Sequence, residues 1–143
     1  MILPIVLSPN EILHQKALPV KRVTKDLVKL GNDMLETCKH HNALGLSANQ
    51  VNQLHRILVM KRGKSYLIMY NPIVMSRGLT KRINDEECLS FPGMVCQKKR
   101  HIEVKVKYTD IYNKPKFISL EGLDAIIFAH ELDHLNGKTM DLQ

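Results

Sequence analysis

Apolar residues near the start of the chain recur with the period of an α-helix that buries one face. They lie three and four positions apart: Leu27, Leu30, Met34, Leu35 and Cys38. Thr24 precedes this stripe where a helix N-cap belongs, so we predict a helix from there to about residue 40. On this helix Cys38 is interpreted as a core residue.

The middle of the chain carries the patterns of β-strands. Residues 56–60 and 66–75 are rich in Ile, Leu, Val and Tyr, which predicts a hairpin whose second arm is interrupted at Asn71-Pro72. Further along, apolar residues alternate strictly with polar ones, as in a strand with one buried face: Ile102, Val104, Val106 and Tyr108. A turn then leads into a partner strand at about residues 116–120.

A second helix is predicted near the end of the chain, from Gly122 to Asn136, where Gly137 would end it. With the first helix and the strands, it makes an α+β fold in which mixed or antiparallel sheets surround this last helix. No linker, repeat or shift in composition divides the chain, so we predict a single domain that spans residues 1–143.

Composition places the chain among ordinary soluble globular proteins, with 44% hydrophobic and 24% charged residues. The three cysteines are an odd number without the spacing of a disulfide framework, which favours a reducing compartment and hence the cytoplasm. No apolar run approaches the ~20 residues of a membrane span, so no membrane partner is expected.

The net charge of +7 indicates attraction to anionic surfaces, but the basic residues are dispersed and no aromatic residues are interleaved with them. Sequence-specific binding of nucleic acid is therefore not expected. Two interpretations of the basic surface remain: a solvated face, which we favour, and a weak contact with a ribosome.

Residues 130–134 read His-Glu-Leu-Asp-His, a pattern typical of hydrolytic metal sites. On a helix, His130 and His134 project from the same face, so both imidazoles can bind one ion. Glu131 would stay off the metal and accept a proton from a water that the metal activates. A catalytic metal usually takes three protein ligands, so a Cys, His or carboxylate elsewhere would have to complete the set.

The same five residues could also arise by chance, as two surface histidines at helical spacing. Leu123, Ile126 and Ile127 weaken this alternative, because they continue the apolar stripe of the helix up to the first histidine. An apolar wall beside a metal is typical of a substrate pocket.

Two further segments, taken in order with the histidine motif, resemble the peptide deformylase family. They are residues 45–50, Gly-Leu-Ser-Ala-Asn-Gln, and residues 86–90, Glu-Glu-Cys-Leu-Ser. The resemblance implies that Cys88 is the third ligand, with His130 and His134, of one divalent ion that is physiologically Fe(II). A thiolate with two imidazoles also accepts Zn(II), Ni(II) or Co(II).

The resemblance also implies a reaction and a substrate. An activated water would attack the formyl group of N-formylmethionine at the start of a nascent polypeptide and release formate, with Glu131 carrying the proton. The side-chain amide of Gln50 and the backbone N–H of Leu89 would stabilise the oxyanion. The methionine would enter an apolar pocket and the peptide would add as a strand, in contact with Leu44, Gly45, Leu123, Ile126 and Ile127.

Glu87 is the most consequential departure from the family pattern, because members usually carry glycine before the cysteine ligand. Its carboxylate could reshape the pocket rim or bind a positive group, so we include Glu87 among the substrate-binding residues. The chain also ends at Gln143, where many bacterial members continue into a C-terminal helix used for ribosome docking. It thus resembles compact phage-encoded members, so we expect a monomer in the cytoplasm of a bacterium or of an infected host.

Two other functions remain open at this point. The same water, glutamate and oxyanion donors could serve a metalloamidase or peptidase that acts on a different acyl group. A non-catalytic, ribosome-associated module would use the metal for stability alone, although Glu131 would then have no role.

The resemblance further implies an ion pair between Asp133 and Arg100.

Overall fold

The computed structural model describes residues 1–140, so residues 141–143 of the predicted domain lie outside the described part. The described chain contains two α-helices and seven β-strands. In chain order they are α1 (Lys25–His40), β1 (Gly45–Ser47), β2 (Ile57–Arg62), β3 (Ser65–Arg77), β4 (Lys81–Glu86), β5 (Cys96–His101), β6 (Glu103–Thr109), β7 (Pro115–Glu121) and α2 (Leu123–Leu135). Two short 3₁₀ turns accompany them, Glu11–His14 and Ala48–Val51.

The strands form two antiparallel sheets. Five strands make one sheet in the order β1-β2-β3-β6-β7, while β4 and β5 form a separate two-stranded ribbon. Because successive side chains of a strand point to opposite faces, Leu58 and Val59 of β2 enter different apolar clusters. Leu58 packs in the cluster that holds α2, and Val59 packs in the one that holds α1. The predicted α+β fold, with sheets around the motif helix, is confirmed.

The first helix begins and ends close to where the sequence predicts it. The hydroxyl of Thr24 accepts a hydrogen bond from the backbone N–H of Leu27 at 3.3 Å, which caps the helix start. Met34 and Cys38 have no exposed surface, so the interpretation of Cys38 as a core residue is confirmed. The apolar stripe thus faces the sheet, as its period requires.

The predicted hairpin of β2 and β3 is present. Its second arm, β3, is not interrupted at Asn71-Pro72 as expected; instead, the register of its hydrogen bonds with β6 shifts there. β3 continues through Asn71-Pro72 to Arg77, and its register with β6 slips between Tyr70 and Ile73. Asn71 adopts a left-handed backbone with φ of 53°, and its side chain bonds both the N–H and the carbonyl of Val20. These bonds hold the irregularity in place.

The ribbon of β4 and β5 is absent from the sequence predictions, because both strands are mostly polar and show no apolar alternation. Its importance lies in its position, since the ribbon packs against α2 and leads directly into the segment that contains Cys88. Among the described residues, no helix is both long enough and apolar enough to cross a membrane.

Candidate metal centre

Three potential metal ligands from two distant parts of the chain meet beside α2. His130 and His134 lie one turn apart on this helix, and Cys88 reaches them from the segment between β4 and β5. One donor atom from each residue lies within 4.8 Å of the other two. Such a set has one thiolate and two imidazoles, which is the donor chemistry of zinc and of other late divalent metals.

The separations between the donor atoms fit a tetrahedral ion. The Sγ of Cys88 lies 3.3 Å from the Nε2 of His134, and that nitrogen lies 3.2 Å from the Nε2 of His130. Metal–nitrogen bonds of about 2.0–2.1 Å and metal–sulfur bonds of about 2.3 Å place tetrahedral ligands roughly 3.3–3.6 Å apart. These two separations therefore match a tetrahedral metal site, and the third, between Cys88 and His130, is within 4.8 Å.

Glu86 and Arg100 hold His130 in its orientation from behind. The Nδ1 of His130 lies 2.7 Å from Oε1 of Glu86, which leaves Nε2 directed at the metal site. Arg100 donates to both oxygens of Glu86 at 2.9 and 2.8 Å, and to Asp133 at 2.5 Å. The contact between Arg100 and Asp133 is thus present. The bridge to Glu86 lies within the ribbon, whereas the bridge to Asp133 ties the ribbon to α2.

Burial and charge tune the ionisation of this network. Burial disfavours the charged carboxylate of Glu86, but its hydrogen bonds with Arg100 and His130 prevail and lower its pKa to about 2. Burial lowers the pKa of His134 to about 3, and the charge of His130 adds to this effect. His134 is therefore neutral, as a metal-binding imidazole must be. Burial opposes the charged form of His130, but Cys88 and Glu86 raise its pKa to about 10, so a metal must displace a proton there.

Glu131 lies against the metal site with one oxygen unused. The residue is 4% exposed, and no group in the described part of the chain hydrogen-bonds its Oε1. Burial raises the pKa of this carboxyl to about 7, although the positive charge of His130 opposes the shift. A buried carboxylate with a free oxygen and a pKa near neutrality can both accept and return a proton.

Hydrogen bonds fix the side chain of Gln50 so that its amide N–H group is directed at the ligand Cys88. Its Oε1 accepts hydrogen bonds from the backbone N–H and the hydroxyl of Ser47, at 3.0 and 3.2 Å. Its Nε2 lies 3.2 Å from the Sγ of Cys88 and 3.3 Å from the hydroxyl of Ser90. Because Ser47 occupies the acceptor, the donor of Gln50 is the part that faces the ligands.

A cavity of about 940 Å³ opens beside these groups. It is lined by all of the sequence-predicted site residues except His134: Gln50, Cys88, Leu89, His130, Glu131, Leu44, Gly45, Glu87, Leu123, Ile126 and Ile127. Ile126 and Ile127 are buried, whereas Leu123 is 51% exposed and belongs to the rim of the expected apolar wall. Leu89 is half-buried, and Glu87 is exposed at the cavity mouth.

Gly45 is the position where a side chain would disturb the site most directly. A Cβ added there would lie 2.7 Å from Oε2 and 2.8 Å from Cγ of Glu131. Gly45→Ala is therefore expected to displace the carboxylate and to lower kcat/KM for hydrolysis by about 100-fold, since misplacing a reacting group by ~1 Å has effects of that order. Bound metal should stay at the wild-type level.

Steady-state kinetics and metal analysis on the same preparation check this prediction. Gly78→Ala is a matched control, because its added Cβ would meet the side chain of Glu103 at 2.9 Å, and neither residue lines the cavity. Equal activity of the Gly45 variant and the wild type would show that Glu131 has room to move.

Sequence reasoning overlooked three residues of this network: Glu86, Ser47 and Ser90. Glu86 lies next to the cysteine motif but gives no periodic signal, because its role depends on a ribbon that the sequence does not predict. Ser47 and Ser90 lie close in sequence to Gln50 and Cys88, and this proximity was the signal by which they could have been found. Polar side chains that are fully buried, as Ser47 and Ser90 are, usually hydrogen-bond a neighbour.

Comparisons with known proteins agree with this geometry. The family model described as polypeptide deformylase matches residues 2–141. Peptide deformylase of Thermoanaerobacter pseudethanolicus is 40% identical over 129 residues, which cover 90% of this chain and 80% of that protein. The crystal structure of peptide deformylase from Thermotoga maritima superposes with a TM-score of 0.95 at 32% identity, covering 99% of this chain and 96% of that one. The structure of the Ehrlichia chaffeensis enzyme in complex with actinonin superposes with a TM-score of 0.94 at 32% identity, covering 97% and 86%. The chain therefore belongs to the peptide deformylase family.

Proposed function

We propose that the protein is a metal-dependent hydrolase that removes the formyl group from N-formylmethionine at the start of nascent polypeptides and releases formate. The observation that carries this function is the convergence of Cys88, His130 and His134 with Glu131 in one cavity. Membership of the peptide deformylase family supports it. The relatives named above are all deformylases, which favours a formyl group over another acyl group and an enzyme over a non-catalytic module.

The proposed ligands are Cys88, His130 and His134, and the proposed physiological metal is Fe(II), with Zn(II), Ni(II) and Co(II) as ions that the same donors accept. When bound, the ion supplies a Lewis acid and lowers the pKa of a water toward neutrality. The neutral imidazole of His134 and the Glu86-oriented imidazole of His130 support this assignment.

Glu131 is the proposed proton carrier. Its unpaired Oε1 can accept a proton from the attacking water and can then deliver it to the nitrogen of the methionine as the amide bond breaks. The raised pKa of about 7 supports this assignment, because a group that takes and returns a proton works best when its pKa lies near the working pH.

Gln50 and Leu89 are the proposed donors to the oxygen of the formyl group. The bonds from Ser47 to Oε1 hold the Nε2 of Gln50 beside Cys88, and one of its N–H groups would exchange its present partner, Cys88 or Ser90, for the oxygen on which negative charge develops. Leu89 lines the same cavity directly after Cys88, and its backbone N–H would supply the second donor. One such donor contributes about 3 kcal/mol to the stabilisation of an oxyanion.

The peptide is proposed to bind along the free edge of β1. Leu44 accepts a hydrogen bond from Lys61, and Leu46 pairs with Val59, so in an antiparallel ladder the backbone groups of Gly45 point away from β2. These groups can pair with an added strand. The methionine side chain would then lie against Ile126 and Ile127, with Leu44 and Leu123 at the rim.

Further proposals concern the whole molecule. The catalytic domain would span residues 1–143, act as a monomer and work in the cytoplasm of a bacterium or of an infected host. A weak ribosome contact would use the dispersed basic surface of a chain with net charge +7.

Acyl selectivity tests the proposed function. Purified protein should release formate from formyl-Met-Ala-Ser. Acetyl-Met-Ala-Ser should be hydrolysed at least about 100-fold more slowly, because a site that is specific for a formyl group must exclude the additional methyl group of acetyl sterically. Equal rates for the two acyl groups would instead establish a general amidase.

A further inference from the structure

Two exposed acidic side chains line the same cavity as the edge strand β1. Asp85 ends the exposed part of β4, and Glu87 directly precedes the ligand Cys88. Both are exposed, and both line the cavity. A peptide that lies along the edge of β1 at Gly45 would therefore occupy a cavity that these two carboxylates also line.

Neither carboxylate is paired with another group in the described part of the chain. In residues 1–140, no hydrogen bond or ion pair involves the side chain of Asp85 or of Glu87. Their neighbour Glu86 is different, because it is buried and bonded to Arg100. Both charges at the mouth are therefore available to a ligand.

The sign of these charges is opposite to that of the molecule as a whole. The chain has a net charge of +7, yet no Lys or Arg of residues 1–140 lines the cavity. The same cavity is also lined by Glu131, whose buried Oε1 has no hydrogen-bond partner within the described chain. The cavity thus combines a ligand site with an acidic mouth.

We propose that Asp85 and Glu87 are specificity determinants that make this enzyme prefer formyl-methionyl peptides with Lys or Arg shortly after the methionine. The inference rests on the proposed function, since it concerns the substrate of that same site. A substrate cation at the mouth would pair with both carboxylates, whereas an acidic residue at the same place would be repelled by them.

The expected preference is moderate, because both carboxylates are exposed. A single exposed ion pair changes an equilibrium by about two- to fivefold. Replacing a substrate cation by an anion both removes this attraction and adds a repulsion of similar size, so the two factors multiply. We expect kcat/KM for formyl-Met-Lys-Lys to exceed that for formyl-Met-Glu-Glu by about tenfold at low ionic strength. The ratio should shrink as salt screens the charges.

The test compares these two peptides and formyl-Met-Ala-Ser with wild-type protein and with Glu87→Gln, Asp85→Asn and the double variant. The ratio between the basic and the acidic peptide should fall stepwise and approach one in the double variant. Glu121→Gln is the matched control, because Glu121 is also exposed but lies outside the cavity, and it should leave the ratio unchanged.

The outcomes separate the two proposals. Formate release from formyl-Met-Ala-Ser with equal kcat/KM for the basic and the acidic peptide would overturn the specificity proposal alone. A preference that persists unchanged in the double variant would also overturn it, by assigning the effect to other residues. No formate from any of the three peptides would overturn the proposed function itself.

Discussion

Glu131→Gln is expected to lower kcat for formate release by about 10²–10⁴-fold, the range that a positioned general base contributes, while one metal ion per chain remains bound. Glutamine keeps the shape of the side chain, but its amide cannot take a proton from water. The residue is not among the three proposed ligands, so the site that holds the ion stays complete. Steady-state assays with metal analysis of the same sample measure both effects.

Glu121→Gln serves as the control for this variant, since it removes an exposed carboxylate away from the cavity and should retain wild-type kcat. Undiminished formate release by the Glu131 variant would eliminate this residue as the proton carrier. Loss of the metal together with the activity would indicate that Glu131 stabilises the site instead.

Cys88→Ala is expected to abolish tight metal binding and, with it, activity. Losing a partner that only hydrogen-bonds a ligand costs roughly 10–100-fold in metal affinity, so removing one of three ligands should cost more than about 100-fold. Competition with a chelator of known affinity measures the change. Cys38→Ala is a matched control.

Cys38 is a suitable control because it is another buried thiol that is neither one of the three clustered ligands nor a residue that lines the cavity. Burial raises its pKa to about 12, so it stays protonated and cannot act as a thiolate ligand at neutral pH. Its replacement should reduce stability through lost packing but should leave metal affinity unchanged. Wild-type affinity in the Cys88 variant would rule out this cysteine as a ligand.

The sequence predicted the parts of the fold whose apolar residues have a clear period. The stripe of α1 and the alternation in β6 each report which face is buried, and the structure has both. The apolar run of α2 indicates the helix but no single face, because four consecutive residues, 125–128, are buried. The ribbon of β4 and β5 could not be found in this way. Its strands present polar side chains to solvent and to each other, so burial leaves no period in them.

In the candidate site, too, only the residues that lie in a periodic element could be predicted from a local pattern. Helical spacing alone brings His130 and His134 together, but the third ligand depends on where the segment after β4 folds, and only the resemblance to a family indicated Cys88. The resemblance also indicated the pair between Arg100 and Asp133, but nothing in the sequence indicated that Glu86 bonds Arg100 and His130. That Arg100 bridges Glu86 and Asp133 follows from the packing of the ribbon against α2, which no local pattern encodes.

The central claim is that one metal ion, held by Cys88, His130 and His134, is required for deformylation. The most direct test measures metal content and formate release together on anaerobically prepared protein, before and after treatment with a chelator and after addition of Fe(II). Activity should rise in proportion to bound metal up to one ion per chain, disappear with the chelator and return with Fe(II). Protein that carries a full ion yet releases no formate from formyl-methionyl peptides, or that stays active without any metal, would contradict the account.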